Sequence, residues 1–300
     1  MKYNIVEEGN KIILKDIKDF EPQHIFECGQ AFRWYKEEDH SYTTVAYGRV
    51  VNVKREKEDI IFLNTNLEEF HNIWYHYFDL ERDYGKIKKE LSKDPILKEA
   101  TKFGEGIRIL NQEPFEMVIS FIISANNQIP RIRKSIERIS KEYGEEISIK
   151  EGFPYMSREY YSFPRAERLA KAIPEDLRDI SKVGFRDIRI VETSKIIANE
   201  ELNLEKIFEM TRDEGKEYLM RLPGVGPKVS DCILLFAFDK DEAFPVDVWV
   251  KRVMEHFYLK EDTNVKLIGT HGARIFGELA GFAQQYLFYY ARELGIGKKN

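Results

Sequence analysis

The chain has 300 residues, 43% hydrophobic and 13% aromatic, enough to bury one large core or two to three smaller ones, which excludes a disordered protein. Its formal net charge of −5 argues mildly against nucleic acid as a partner, because strong phosphate binders usually carry a basic balance. Two cysteines, Cys28 and Cys232, exclude a disulfide framework and cannot by themselves ligate an iron–sulfur cluster or a structural zinc.

The start, Met1 to Ile5, lacks the apolar segment of a signal peptide, and apolar stretches such as Ile233–Phe238 are far too short to span a bilayer. A cytoplasmic chain with reduced thiols is expected. From Tyr3 to about Thr65, short β-branched or aromatic runs (Lys11–Leu14, Thr43–Val45, Val50–Val53, Ile60–Leu63) alternate with polar turns, which predicts an antiparallel sheet. After Asn66 the period changes. Leu67, Phe70, Ile73, Trp74 and Tyr77 fall at three- and four-residue steps, one apolar helical face. Prolines at 95, 114, 130, 154, 164, 174, 223 and 245 cut the rest into many short helices. The fold class is α+β: an N-terminal antiparallel sheet domain with flanking helices over residues 1–105, then a mainly α-helical region over 106–300.

Within the helical region Gln128–Lys141 holds Arg131, Arg133, Lys134, Arg138 and Lys141 against Glu137. Such a stretch faces phosphates or is simply a solvated helix face.

Residues 212–239 read as a helix, a tight turn and a second helix. The first helix is predicted to end near Leu222, Pro223-Gly224-Val225-Gly226 to turn, and the second helix to start at Pro227, where proline is favoured. The glycines Gly224 and Gly226 let backbone approach a phosphate, and the free amides of the second helix point outward as anion donors. A hairpin of this kind binds a DNA backbone without reading sequence; a plain αα-hairpin is the alternative. Lys228 falls in the first turn of the second helix, where the dipole disfavours a cation. A cost of that kind at one position suggests a nucleophile; taken alone, an ordinary surface lysine is the simpler reading. The loop 243–248 follows, with Phe244-Pro245-Val246-Asp247 before an apolar-periodic run, Val248–Tyr258. Asp247 stands where an N-cap residue would.

A Leu-Pro-Gly-Val-Gly hairpin followed by Pro-Val-Asp resembles the helix–hairpin–helix (HhH-GPD) superfamily of DNA glycosylases. The lysine and an aspartate 19 residues on, from 228 to 247, match its base-excising lyase branch. The 3-methyladenine type lacks such a lysine, and the endonuclease III and adenine-mismatch types generally carry a four-cysteine iron–sulfur loop. Four further segments resemble the 8-oxoguanine DNA glycosylases: Glu27–Trp34 their N-terminal Gly-Gln-Ser-Phe-Arg-Trp motif, Tyr77–Leu80 their domain junction, Ser124–Arg131 their Asn-rich turn, and Ala280–Phe288 their base-pocket helix.

The resemblance implies an active-site cleft between helical subdomains, with Lys228 as nucleophile and Asp247 as its carboxylate partner. It implies that the Gly29 carbonyl meets the ring hydrogen that distinguishes 8-oxoguanine from guanine. Phe288 and Cys232 sandwich the flipped base, Gln284 bonds its pairing edge, and Phe32 and Pro245 join them in the pocket. It also implies that Asn126 fills the space left in the duplex, Arg131 and Arg186 reach the orphaned base, and Phe185 wedges the stack. No cofactor and no metal held by side chains is expected; the hairpin carbonyls of Met220, Leu222 and Val225 are a candidate structural cation site. The implied partner is double-stranded DNA containing 8-oxoguanine, bound by a monomer with no membrane contact, nucleoid-associated if the source is bacterial or archaeal. Three departures stand out: Trp249 in place of histidine in the eukaryotic members, Phe185 in place of tyrosine, and Ala31 in place of serine. A glycosylase of the same fold for another damaged base, or a non-catalytic helix–hairpin–helix DNA-binding protein, are the competing readings.

Overall fold

The computed structural model describes residues 3–296. Six strands, β1 (Asn4–Glu8), β2 (Lys11–Lys15), β3 (Trp34–Lys36), β4 (Tyr42–Ala46), β5 (Arg49–Glu56) and β6 (Asp59–Leu63), form one antiparallel sheet in the order β1-β2-β6-β5-β4-β3. Alternation decides which face is buried. Ile12 pairs with Phe62 and Leu14 with Ile60, so Ile12, Leu14, Ile60 and Phe62 share one core with Phe20, Phe26, Phe70, Trp74 and Phe78. Each such ring contributes about 1.5–3 kcal/mol on burial. The segment after Asn66 is helical as its period requires: the Asn66 side chain accepts from the Glu69 amide at 2.8 Å. A π-helical turn at Phe70–Trp74 rotates the aromatic face onto the sheet.

Proline marks helix starts. It occupies the first or second position in Pro22–Glu27, Pro95–Phe103, Pro114–Ser124, Ile129–Tyr143, Pro174–Ser181 and Pro227–Ala237, where its missing N–H is not needed. The helix Pro114–Ser124 is apolar almost all round and buried from Glu116 to Ile123, which makes it the central rod of the helical body. Helices Tyr84–Leu91 and Pro95–Phe103 precede residue 105 but pack on that body: Tyr84 meets Phe282 edge-on, and Phe103 meets Tyr289 and Tyr290.

The sheet and the helices are joined through buried polar groups. Arg108, 1% exposed, donates to the carbonyls of Asp19 at 2.9 Å and Asp79 at 2.7 Å, with its guanidinium 4.5 Å from the centre of the Tyr84 ring. A buried cation satisfied on several sides fixes geometry more than it adds stability. Among the described residues no helix is long and apolar enough to cross a membrane.

Candidate active site

The hairpin helices are Arg212–Leu219 and Pro227–Ala237. Thr211 and Glu214 close a capping box on the first, satisfying two amides reciprocally. That helix ends at Leu219, three residues before the end read from sequence. Leu222 precedes Pro223, and a residue before proline is pushed out of the helical region, so the chain exits through tighter bonds from Leu222 N to Leu219 O and from Val225 N to Leu222 O at 3.1 Å. The second lone pair of the Leu222 carbonyl is compatible with a cation there. Gly224 has φ +88°, and a Cβ on it would stand 3.0 Å from Arg189 Cδ, so conformation and space both demand glycine. A Cβ on Gly226 would meet nothing, which leaves the amides of the second helix open to an anion.

Asp231, on the second helix, binds Arg212 at 2.8 Å and Lys216 at 2.6 Å on the first. This buried carboxylate, 6% exposed, locks the two helices together.

Lys228 is half-buried in the first turn, its Nζ 5.8 Å from the centre of the Phe121 ring. Phe121 stacks on Phe236 and meets Phe32 edge-on at 5.6 Å. The Lys228 charge also acts on the Cys232 thiol, which burial pushes up to about 11. Asp247 caps the helix Val248–Val253, accepting from the Val250 amide at 2.8 Å. Burial raises the Asp247 carboxyl above the ordinary carboxylate range, and the Val250 amide and the charge of Lys228 draw it partly back. The run expected to be one helix to Tyr258 changes to a π-helix at Met254–Leu259 and stops at Lys260, φ +59°. Phe244, at the head of the loop, stacks on Phe276 at 5.8 Å, and a Cβ on Gly272 would overlap its ring at 2.4 Å. The helix Val265–Phe276 thus holds a slot for this loop, and Pro245 is buried beside it.

Gly29 has φ +87°, and a Cβ there would lie 2.8 Å from Phe288 Cε1. Its turn is pinned on both sides. Gln285 donates to the Cys28 carbonyl at 2.7 Å; the fully buried Gln30 donates to Ile25 O and Arg108 O and accepts from the Leu110 amide. Gln112 donates to Gln30 O at 3.0 Å. Gln284 is 5% exposed, and its Oε1 has no hydrogen-bond partner among the described residues. An unmet buried acceptor costs about 1–3 kcal/mol, and this one is free to accept from a ligand's donor.

A second cluster faces outward. Asn126 is exposed with φ +51°, and Phe185 is 61% exposed. Arg186 does not extend freely: it is buried, donates to the carbonyls of Ala125 and Asn126, and stacks 4.5 Å from the Phe185 ring. It therefore shapes the Asn126 turn, while Arg131 is exposed and close enough for its charge to press on Arg186. Arg189, which sequence reading missed, links this cluster to the hairpin, since it lies 5.5 Å from the Phe185 ring and against Gly224. In the basic run, Arg133 is turned away from any phosphate face: it donates to Phe32 O at 3.2 Å and stacks 3.9 Å from the Trp34 ring. Lys141 pairs with Glu159 at 2.7 Å. Gln285, Gln30, Asp231 and Arg189 carry no local signature that would have singled them out.

The arrangement thus brings the Lys228 amine close enough for its charge to act on the Asp247 carboxyl and the Cys232 thiol, sets the Phe288 ring against the Gly29 turn, and leaves the amides at the start of the Lys228 helix open. Among the described residues no group of three or more His, Cys, Asp or Glu side chains gathers to hold a metal ion.

Residues 12–118 match the model of the 8-oxoguanine DNA glycosylase N-terminal domain, and residues 119–273 that of the HhH-GPD superfamily of base excision DNA repair proteins. A probable N-glycosylase/DNA lyase of Methanothermobacter thermautotrophicus is 35% identical over 240 residues, 74% of each chain. An N-glycosylase/DNA lyase of Arabidopsis thaliana is 29% identical over 282 residues, 88% of this chain and 75% of that one. The crystal structure of Clostridium acetobutylicum 8-oxoguanine glycosylase/lyase, in complex with double-stranded DNA containing cytosine opposite 8-oxoG, is 47% identical, covers 99% of this chain and 100% of that chain, and superposes with a TM-score of 0.93.

Proposed function

The chain belongs to the HhH-GPD superfamily of base excision DNA repair proteins, in the branch with an 8-oxoguanine DNA glycosylase N-terminal domain, and from that membership we propose that it excises 8-oxoguanine from duplex DNA through a covalent bond to Lys228. It is a DNA glycosylase/lyase. What supports the residue-level reading is that Lys228 lies close enough for its charge to act on Asp247, with Gln284 Oε1 buried and without a partner among the described residues.

Cleavage of a purine glycosidic bond passes through an oxocarbenium-like state, which needs negative charge near the sugar and a nucleophile at C1′. Asp247 supplies the charge. Lys228, as the free amine, attacks C1′; the C1′–N9 bond breaks with its electron pair on the departing base, and loss of the amine's proton and ring opening leave a Schiff base. Loss of a proton from C2′ then expels the 3′ phosphate by β-elimination. Selectivity lies in the pocket. The Gly29 carbonyl accepts from the N7 hydrogen that only the oxidised base carries, Gln284 takes its pairing edge, and Phe288 and Cys232 close on its faces with Phe32 and Pro245 at the rim. Gly224 and Gly226 hold the strand, Asn126 and Phe185 occupy the gap, and Arg131 reads the partner base. Every one of these groups comes from a single chain, so one copy suffices.

The test is a set of duplexes, each with one defined lesion, treated with borohydride. A covalent adduct on the 8-oxoguanine duplex, absent in Lys228→Gln although that variant still binds, is the expected result. Excision by Lys228→Gln at the wild-type rate removes the nucleophile assignment; preference for a different lesion removes the substrate.

A further inference from the structure

We propose that Arg292 sets the width of the base pocket and is a positioning residue for purine recognition. Its charge in addition reaches the Asp247 carboxyl. The inference rests on the base-pocket reading above. Arg292 lies in the last turn of the helix Ala280–Leu294, four residues after Phe288 and so on the same face. Its guanidinium stands 5.2 Å from the centre of the Phe288 ring. Nη1 would be 3.2 Å from a Cβ placed on Gly29, and Nη2 donates to the Glu27 carbonyl. One rigid plane therefore touches both walls of the pocket, the aromatic ring and the turn that carries the Gly29 carbonyl, which a flexible lysine could not do. Glu293 grips the guanidinium from outside, at 3.0 Å to Nε and 2.8 Å to Nη2.

A cation in the last turn of a helix is also favoured by the helix dipole. That preference is met by any outward-pointing lysine or arginine, whereas the Arg292 side chain is turned inward and is 20% exposed. Its removal frees the Phe288 ring to move into the vacated space and releases the Glu27 carbonyl, so the distance between ring and Gly29 carbonyl is no longer set. Recognition that turns on a single hydrogen bond is sensitive to such a shift.

The experiment compares Arg292→Met and Arg292→Lys with wild type on two duplexes, one carrying 8-oxoguanine and one a preformed abasic site. Cleavage at the abasic site needs Lys228 but no base in the pocket. Arg292→Met is expected to slow base release by roughly ten- to a hundredfold and abasic-site cleavage far less, through the lost charge near Asp247 alone. Arg292→Lys shows the same selective loss at smaller size, because its ammonium reaches the Glu27 carbonyl without spanning both walls. Parallel losses on the two duplexes, or unchanged base release in Arg292→Met, overturn the proposal; if Arg292→Met does not fold, the same comparison is decided on Arg292→Lys. A wild-type enzyme that cleaves abasic sites yet leaves 8-oxoguanine in place overturns the substrate reading, and this inference with it.

Discussion

Gln284 and Gln285 are neighbours on one helix with opposite hydrogen-bonding states: Gln285 donates to the Cys28 carbonyl at 2.7 Å, while Gln284 Oε1 is buried without a partner among the described residues. Leucine at the two positions should therefore act in opposite ways. Gln285→Leu orphans a buried carbonyl and is expected to lower stability by about 1–3 kcal/mol. Gln284→Leu removes an unmet group, so its stability should hold or rise while excision of 8-oxoguanine falls sharply. Denaturant unfolding beside a single-turnover assay checks both; equal destabilisation by the two substitutions would contradict the assignment.

Asp247→Asn separates capping from catalysis. Asparagine caps about as well as aspartate, so unfolding should change little, whereas loss of charge at the sugar should slow excision roughly a hundredfold or more. Because burial holds the Asp247 carboxyl above the ordinary range, the acid limb of the wild-type rate profile is expected at higher pH than an exposed aspartate would give. Below its raised value the group is protonated and the rate falls; above it the carboxylate forms and the rate recovers. A profile with its acid limb unmoved in Asp247→Asn would assign that limb to another group.

Glu116 gives a pH effect on stability. It lies buried in the central helix, 3.3 Å from Arg33, and burial outweighs that partner, pushing its carboxyl from 4.5 up to about 7. Between those values the folded chain holds a proton that the unfolded chain has released, so stability falls as pH rises through the window and is lowest above it. Glu116→Gln should flatten that decline. Denaturation midpoints across the window, which in the variant should vary less with pH than in wild type, are the measurement.

Opposite-base choice should depend on Arg131. An unpaired cytosine edge offers acceptors to a guanidinium, whereas adenine presents a donor amine, so excision opposite cytosine is expected to be preferred and Arg131→Ala to weaken that preference. Arg186→Ala should act differently. Since Arg186 bonds the Ala125 and Asn126 carbonyls, its loss disorders the turn and lowers excision opposite all four bases. Rates opposite each base in the two variants distinguish a reader from a brace.

Four of the six strands follow from β-branched runs, and the Asn66, Pro227 and Asp247 helix starts follow from capping chemistry. β3 does not: Trp34–Lys36 is a strand because its residues pair with Tyr42–Thr44, and three residues carry no period. The basic run shows the same limit. Nothing local distinguishes Arg133 from Arg131, yet Arg133 is committed to Trp34, 99 residues away in sequence. Lys228 and Asp247 stood out because the segments that carry the family resemblance, the hairpin turn and the Pro-Val-Asp loop, are local in sequence, whereas Arg292 and Gln285 act on a turn more than 250 residues upstream and become visible only when the chain is folded.

The clamp of Asp231 on Arg212 and Lys216 couples grip to reactivity. Lys228 and Asp231 share one helix, one turn apart, and that helix begins at the glycines proposed to meet the DNA backbone. On the proposed reading a duplex passing through the enzyme meets the amine at a fixed offset from the held phosphate, at every nucleotide and whether or not the base is damaged. Undamaged DNA is then spared by the failure of a normal base to lodge in the pocket, so variants that enlarge or relax that pocket are expected to endanger intact guanine before they impair repair.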